Sequence, residues 1–255
     1  MPIIKINNKS INYEFINLEK FSDSDYLLIF LHEGLGSISQ WKIFPLEVSE
    51  NSKIPALVYD RYGHGKSEIL SEFNYNFFEE EATIFLPELI HCLGIKKKII
   101  LVGHSDGATI ALLSAIFSII KVHGIISISA HVFFENIITE GINRANNEYV
   151  NENLRKSLEK YHFANTESMF ERWRNFWTDV KTKNWNISES FKLIKCPVLI
   201  IHGTNDNYGS IEQAECIFNN VSSIDKHKII LNSGHNPHFK EKEIVIDEIV
   251  RFICK

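Results

Sequence analysis

The stretch Ile99-Ile100-Leu101-Val102-Gly103-His104-Ser105-Asp106-Gly107-Ala108-Thr109-Ile110-Ala111-Leu112-Leu113 decides how the rest of the chain is read. Its first four residues form an unbroken apolar run, the pattern of a strand buried on both faces, and the residues after Asp106 suit a helix. Between them stands Gly103-His104-Ser105-Asp106-Gly107, a G-x-S-x-G match. A sharp strand-to-helix turn exposes the serine Oγ, and only small residues at the flanking positions let the backbone pass so tightly. The motif alone is a weak signal, but the strand before it and the helix after it make Ser105 the candidate nucleophile.

Outward from this point, short β-branched runs alternate with helix-like segments. Ile3 to Ile6 and Ile11 to Ile16 read as an antiparallel edge pair, and Tyr26 to Leu31, Ile54 to Tyr59, Ile125 to Ile128, Val198 to Ile201 and Lys228 to Leu231 as further strands. Ser39 to Ser49, Tyr75 to Cys92, Asp106 to Ile119, Ile211 to Asn219 and Glu241 to Phe252 read as helices. This alternation predicts an α/β fold, a mostly parallel sheet with helices on both faces. One stretch, 131–191, breaks the rhythm: Ile137, Ile138, Ile142 and Ala145, then Phe170, Trp173 and Trp177, recur at helical spacing without a strand-like run. It is expected to be a helical cap inserted between core segments 1–130 and 192–255. Its aromatics serve either as the cap's own core or, for Phe170, Trp173 and Trp177, as the wall of an apolar substrate pocket.

A serine needs a base, and the base needs an orienting acid. Asp206, in Gly203-Thr204-Asn205-Asp206-Asn207, follows one strand; His235, in Ser233-Gly234-His235-Asn236-Pro237, follows another. Loops after parallel strands share one edge of the sheet, so both can converge with Ser105 in the crevice where such sheets bind ligands. Asp60 is the rival acid, read as a loop organiser, and His238 is the rival base, set aside because it begins a helical stretch. His32, His64, His104 and His131 lie near the same edge and are assigned hydrogen-bonding roles, since no metal-ligand spacing accompanies them. The oxyanion donors are expected to be the backbone N–H groups of Asp106 and Gly34, the latter in His32-Glu33-Gly34-Leu35-Gly36-Ser37.

Composition bounds the rest. The chain has 255 residues, 44% hydrophobic and 23% charged, with 27 Lys and Arg against 32 Asp and Glu, a formal charge of -5. No clustered basic face points to nucleic acid, and no uninterrupted apolar run reaches the ~18 residues that span a membrane. The N-terminus lacks the apolar core of a signal peptide, and the four cysteines make no C-x-x-C pair, so a cytoplasmic protein with reduced thiols is expected.

Taken together, the H-E-G-L-G-S loop, the Asp60 to Ser67 segment D-R-Y-G-H-G-K-S, the G-H-S-D-G-A elbow, the cap, G-T-N-D and S-G-H resemble the α/β-hydrolase superfamily over essentially the whole chain. Within it the chain is similar to small capped carboxylesterases, biphenyl-hydrolase-like esterases and carbon–carbon bond hydrolases of aromatic-ring breakdown. The resemblance implies an eight-stranded core, a Ser105–His235–Asp206 triad and no cofactor. It implies cleavage of a small-molecule ester or related acyl bond, with carbon–carbon hydrolysis or a slow-turnover ligand receptor as competing readings. Glu33 departs from the pattern, standing where glycine is usual. Glu33 and Asp106 place two acids beside the expected oxyanion donors. They are expected either to be balanced within the protein, with Asp106 at a helix N-terminus and Glu33 on Arg61 or a histidine, or to meet a positive group on the substrate.

Overall fold

In the computed structural model, which describes residues 2–70 and 74–254, the apolar runs become eight strands of one sheet: β1 (Ile3–Ile6), β2 (Lys9–Ile16), β3 (Tyr26–Leu31), β4 (Ala56–Tyr59), β5 (Lys98–His104), β6 (Val122–Ile128), β7 (Val198–Gly203) and β8 (Lys226–Leu231). Their spatial order is β1-β2-β4-β3-β5-β6-β7-β8. β1 and β2 pair antiparallel, as do β2 and β4; every other pairing is parallel. The chain therefore has the mostly parallel sheet that the alternation predicts, with the eight strands that the resemblance implies.

The period of two along each strand divides the core into two layers. Leu27, Ile29, Leu31, Ile99 and Leu101 face one cluster, with α4 (Asp106–Phe117) and α8 (Ile211–Asn220). Leu28, Phe30, Ile100 and Val102 face the other, against α1 (Phe44–Ser52) and α9 (Lys242–Ile253). No helix among the described residues is long and apolar enough to cross a membrane.

Several strands run one to three residues beyond the sequence reading, and three further departures fall at prolines. Strand β4 begins at Ala56 because Pro55 has no N–H to give a ladder. The helix expected over Ser39 to Ser49 is a 3₁₀ turn, Ile38–Trp41, a left-handed step at Lys42 (φ 54°) and then α1, with Pro45 in its first turn where a missing N–H costs nothing. Tyr75 to Cys92 is α2 (Phe77–Glu80) and α3 (Leu86–Cys92) joined by a wide π-type turn, Glu81–Phe85, which absorbs Pro87 without ending the run.

Residues 131–191 hold α5 (Asn136–Val150), α6 (Asn153–His162) and α7 (Thr166–Thr178). Where this segment leaves and rejoins the sheet, Phe134 N–H donates to the Trp185 carbonyl (3.0 Å) and Ile187 N–H to that of Val132 (2.9 Å). The two ends are thereby held side by side over the edge where β5, β7 and β8 finish.

Candidate active site

Strand β5 runs straight into Ser105, which adopts φ 52° and ψ -120°, a left-handed conformation that an L residue holds only when its surroundings impose it. The surroundings are glycine. A Cβ on Gly107 would lie 1.9 Å from the Leu31 carbonyl oxygen, and one on Gly103 would lie 2.3 Å from that of Gly107. Bare backbone at both positions lets α4 start against β3. The Ser105 N–H donates to the Ile128 carbonyl (2.9 Å), docking the turn on the end of β6.

The loops after β7 and β8 are tied to each other by Thr204 N–H to Leu231 O (2.8 Å) and Asn205 N–H to Ser233 O (2.9 Å). Asp206 Oδ1 accepts from the N–H groups of Tyr208 (2.8 Å) and Gly209 (3.2 Å), an Asx turn that aims the other oxygen at His235. His235 Nδ1 lies 2.8 Å from Asp206 Oδ2, and its Nε2 lies 2.9 Å from Ser105 Oγ. An ionised carboxylate only accepts, so Nδ1 carries the proton and Nε2 is left as the acceptor for the serine hydroxyl. Burial pulls His235 down, but the charge and hydrogen bond of Asp206, with Glu33 and Asp106 beyond, carry it above its ordinary value. Burial pushes Asp206 up, yet His235 and the Tyr208 N–H bring it down to about 2. An imidazole in this state can take the Ser105 proton.

Opposite the serine, no hydrogen bond among the described residues engages the N–H of Gly34 or of Asp106. The Glu33 carbonyl, in the same peptide plane as the Gly34 N–H, accepts from Arg61 Nη2 (2.8 Å), His32 Nδ1 (2.8 Å) and Gly36 N–H (3.0 Å). In a trans peptide C=O and N–H point opposite ways, so holding the carbonyl aims the N–H. The next carbonyl, of Gly34, accepts from His64 Nε2 (3.0 Å), and His64 Nδ1 accepts in turn from Arg172 Nη2 on α7 (3.0 Å). Burial first, then the neighbouring arginines, keeps His64 neutral, well below its usual value, as this donor-and-acceptor role requires. A helix of the inserted segment is thus wired to the loop that carries Gly34.

The sequence matches the model of the Alpha/beta hydrolase family over residues 28–248. The chain belongs to that family. No curated protein matches it. Among solved structures it is similar in fold to an enol-lactonase from Burkholderia xenovorans (TM-score 0.75, 16% identity, 100% of both chains covered). It is also similar to a carboxylesterase of the thaumarchaeon Nitrososphaera gargenis (TM-score 0.77, 17% identity, 99% of this chain and 98% of the other). A third likeness is to a serine hydrolase involved in carbazole degradation (TM-score 0.75, 13% identity, 99% and 98%).

In this alpha/beta hydrolase Ser105 and His235 open into a cavity of about 130 Å³, lined also by Glu33, Gly34, Leu35, Trp173, Trp177 and Tyr208. Two of the three cap aromatics singled out in the sequence therefore reach it. Phe170 does not: fully buried, it stacks on Tyr149 with ring centres 3.7 Å apart, inside the helical segment. Asp106 is also off the cavity lining. Its carboxylate is buried behind Gly34, where a Cβ would come within 2.6 Å of Oδ2 and 2.3 Å of Trp173 Cδ1, and its Oδ1 has no hydrogen-bond partner. Burial raises its pKa against the pull of Arg61, Arg172 and Trp177, so the positive groups facing this acid belong to the protein itself. Glu33 is partly exposed and lies 3.7 Å from His104 Nδ1. Asp60 sits away from the serine, accepting from the N–H groups of Ile38 (2.7 Å) and Lys66 (2.9 Å) and from Asn12 Nδ2 (2.7 Å). His238 is buried against Trp41, Phe44 and His104. The sequence reading missed Arg172, the acceptor role of His64 toward it, and Tyr208. Only Tyr208 carried a signal, standing two residues after the candidate acid.

Proposed function

We propose that the protein is a serine hydrolase that cleaves a small-molecule ester or related acyl bond through an acyl-enzyme intermediate. What carries the reading is the unbroken chain from Ser105 Oγ to His235 Nε2 (2.9 Å) and from His235 Nδ1 to Asp206 (2.8 Å), opening into a cavity. His235 takes the Ser105 proton as Oγ attacks the carbonyl carbon, and the tetrahedral oxyanion settles on the N–H groups of Gly34 and Asp106. Each such donor is worth ~3 kcal/mol of transition-state stabilisation. His235 then protonates the leaving group, and water attacks the acyl-serine by the same route in reverse. Asp206 holds the imidazole tautomer and balances the imidazolium without taking its proton.

The cavity size favours a short acyl group. Trp173, Trp177 and Tyr208 stand around Ser105 in a cavity of about 130 Å³, so a long or bulky acyl chain has to displace an aromatic wall that a short one does not meet. A panel of p-nitrophenyl esters tests this: acetate to butyrate should turn over at least ~10-fold faster in kcat/KM than octanoate, a difference of about 1.4 kcal/mol. Trp173→Ala, which opens the wall beside Gly34, should narrow that gap. Equal rates along the series would overturn the size argument, and no turnover at all would favour a receptor.

The Arg172–His64–Gly34 connection predicts a second effect. His64→Leu leaves the Gly34 carbonyl and an Arg172 N–H unpaired, a loss of ~1–3 kcal/mol for buried groups, or about 10- to 100-fold if it falls on the transition state. The expected result is a lower kcat at similar KM. His64→Gln, whose amide both donates and accepts, should recover most of it. Equal loss in the two variants would mean that His64 only fills space.

A further inference from the structure

His104 Nε2 lies 2.8 Å from the His235 carbonyl oxygen, which can only accept, so the proton of this imidazole sits on Nε2 and Nδ1 presents a bare lone pair. Glu33 Oε2 faces that lone pair at 3.7 Å, and no hydrogen bond to the Glu33 carboxylate occurs among the described residues. Two acceptors that confront each other call for something positive between them. The third group at this point is His235, and one ligand atom each from Glu33, His104 and His235 lies within 4.8 Å of the others. Glu33 lines both the cavity of Ser105 and a shallow cleft shared with His104, which gives an ion a way in.

We propose that Glu33, His104 and His235 form a binding site for a divalent transition-metal ion of the Zn²⁺ type, whose occupancy reversibly inhibits the enzyme. Two imidazole nitrogens and one carboxylate oxygen make a set that suits Zn²⁺, Co²⁺ or Ni²⁺ and is poor for Mg²⁺ or Ca²⁺, which take oxygen ligands. A tetrahedral ion with bonds of ~2.0–2.1 Å places its ligands roughly 3.3 Å apart, so the Glu33–His104 separation is nearly right already. The remaining separations, up to 4.8 Å, close by movement of the partly exposed Glu33 side chain and adjustment of the two rings. His235 Nδ1 is committed to Asp206, so the ion takes the Nε2 lone pair, the one that accepts the Ser105 proton. The inhibition clause rests on the hydrolase reading; the site itself does not.

The test separates the two. Co²⁺ is titrated into the Ser105→Ala protein and its visible d–d absorption recorded, a measurement that needs no turnover. One saturable equivalent, displaced by Zn²⁺, is expected, with Glu33→Gln in the same background weakening it at least ~10-fold, since even outer-shell partners of a metal site carry 10–100-fold. His104→Gln, which keeps a donor for the His235 carbonyl and loses the Nδ1 ligand, should do the same and guards against a folding defect in the first variant. In the wild type, Zn²⁺ should abolish p-nitrophenyl acetate hydrolysis, EDTA should restore it, and Mg²⁺ at the same concentration should leave it unchanged. An unaltered Co²⁺ spectrum in both variants, or no spectrum at millimolar Co²⁺, overturns the site. Zn²⁺ binding without inhibition of an active enzyme overturns the regulatory role.

Discussion

Ser105→Ala should abolish p-nitrophenyl ester turnover and covalent labelling by a fluorophosphonate probe, a fall of ~10⁶ in kcat, and leave the fold intact. The loss is large because, in the proposed mechanism, Oγ is both the attacking atom and the partner of His235 Nε2, so without it the base has nothing to activate. Members of such a unit are not additive: Ser105→Ala combined with His235→Ala should cost little more than either alone, the residue of activity coming from binding and the oxyanion donors. The fold survives because alanine can sit at φ 52° with the strain that serine already carries, and the Ser105 N–H bond to Ile128 is made by backbone. Ser105→Gly sharpens the test. Glycine adopts that conformation freely, so this variant should be equally dead yet more stable by ~1–3 kcal/mol, visible as a higher Tm. Labelling of another serine, or turnover surviving in either variant, would remove Ser105 from the nucleophile's place.

The strands and the elbow were legible because they are local. Ile99 to Val102 followed by two bracketing glycines states its structure within nine residues, and the loops of Asp206 and His235 inherit their place from the strands before them. What was not legible depends on partners far along the chain. His64 and Arg172 are 108 residues apart, and nothing near either one says that they meet. Phe170 and Trp173 share a helix face by spacing, but which of them reaches the cavity is set by Tyr149, which covers Phe170. The step at Lys42 ahead of Pro45 and the π-type turn ahead of Pro87 could have been placed more closely, since both prolines stand in the sequence. Asp106 stands at a helix N-terminus as its position requires, but its carboxylate turns inward beneath Gly34, where Trp177 and the charges of Arg61 and Arg172 oppose the cost of burying it.

Asp206→Asn should lower kcat by ~10³ to 10⁴ and change the pH profile, whereas Asp60→Asn should do neither. An amide at 206 can present its NH₂ to His235 Nδ1, which favours the tautomer with the proton on Nε2 and so takes away the acceptor that Ser105 needs. It also removes the charge that stabilises the imidazolium. The sign of the pH effect follows from His235: the base works when neutral, so kcat/KM rises as pH passes upward through its pKa, which stands above the ordinary value because of Asp206 in particular. With that carboxylate gone, burial is opposed only by the smaller pull of Glu33 and Asp106, and the acidic limb of the residual activity should move to lower pH. Asp60 is buried too, but its oxygens accept from Ile38, Lys66 and Asn12 and none faces the imidazole. Turning it into an amide sets an NH₂ against N–H donors and should cost ~1–3 kcal/mol of stability, read as a lower Tm with kcat preserved. The two variants thus exchange signatures, one losing rate without stability and the other stability without rate. If Asp60→Asn lost the chemical step and Asp206→Asn kept both its rate and its pH profile, the carboxylate that serves His235 in solution would not be the one 2.8 Å from its Nδ1.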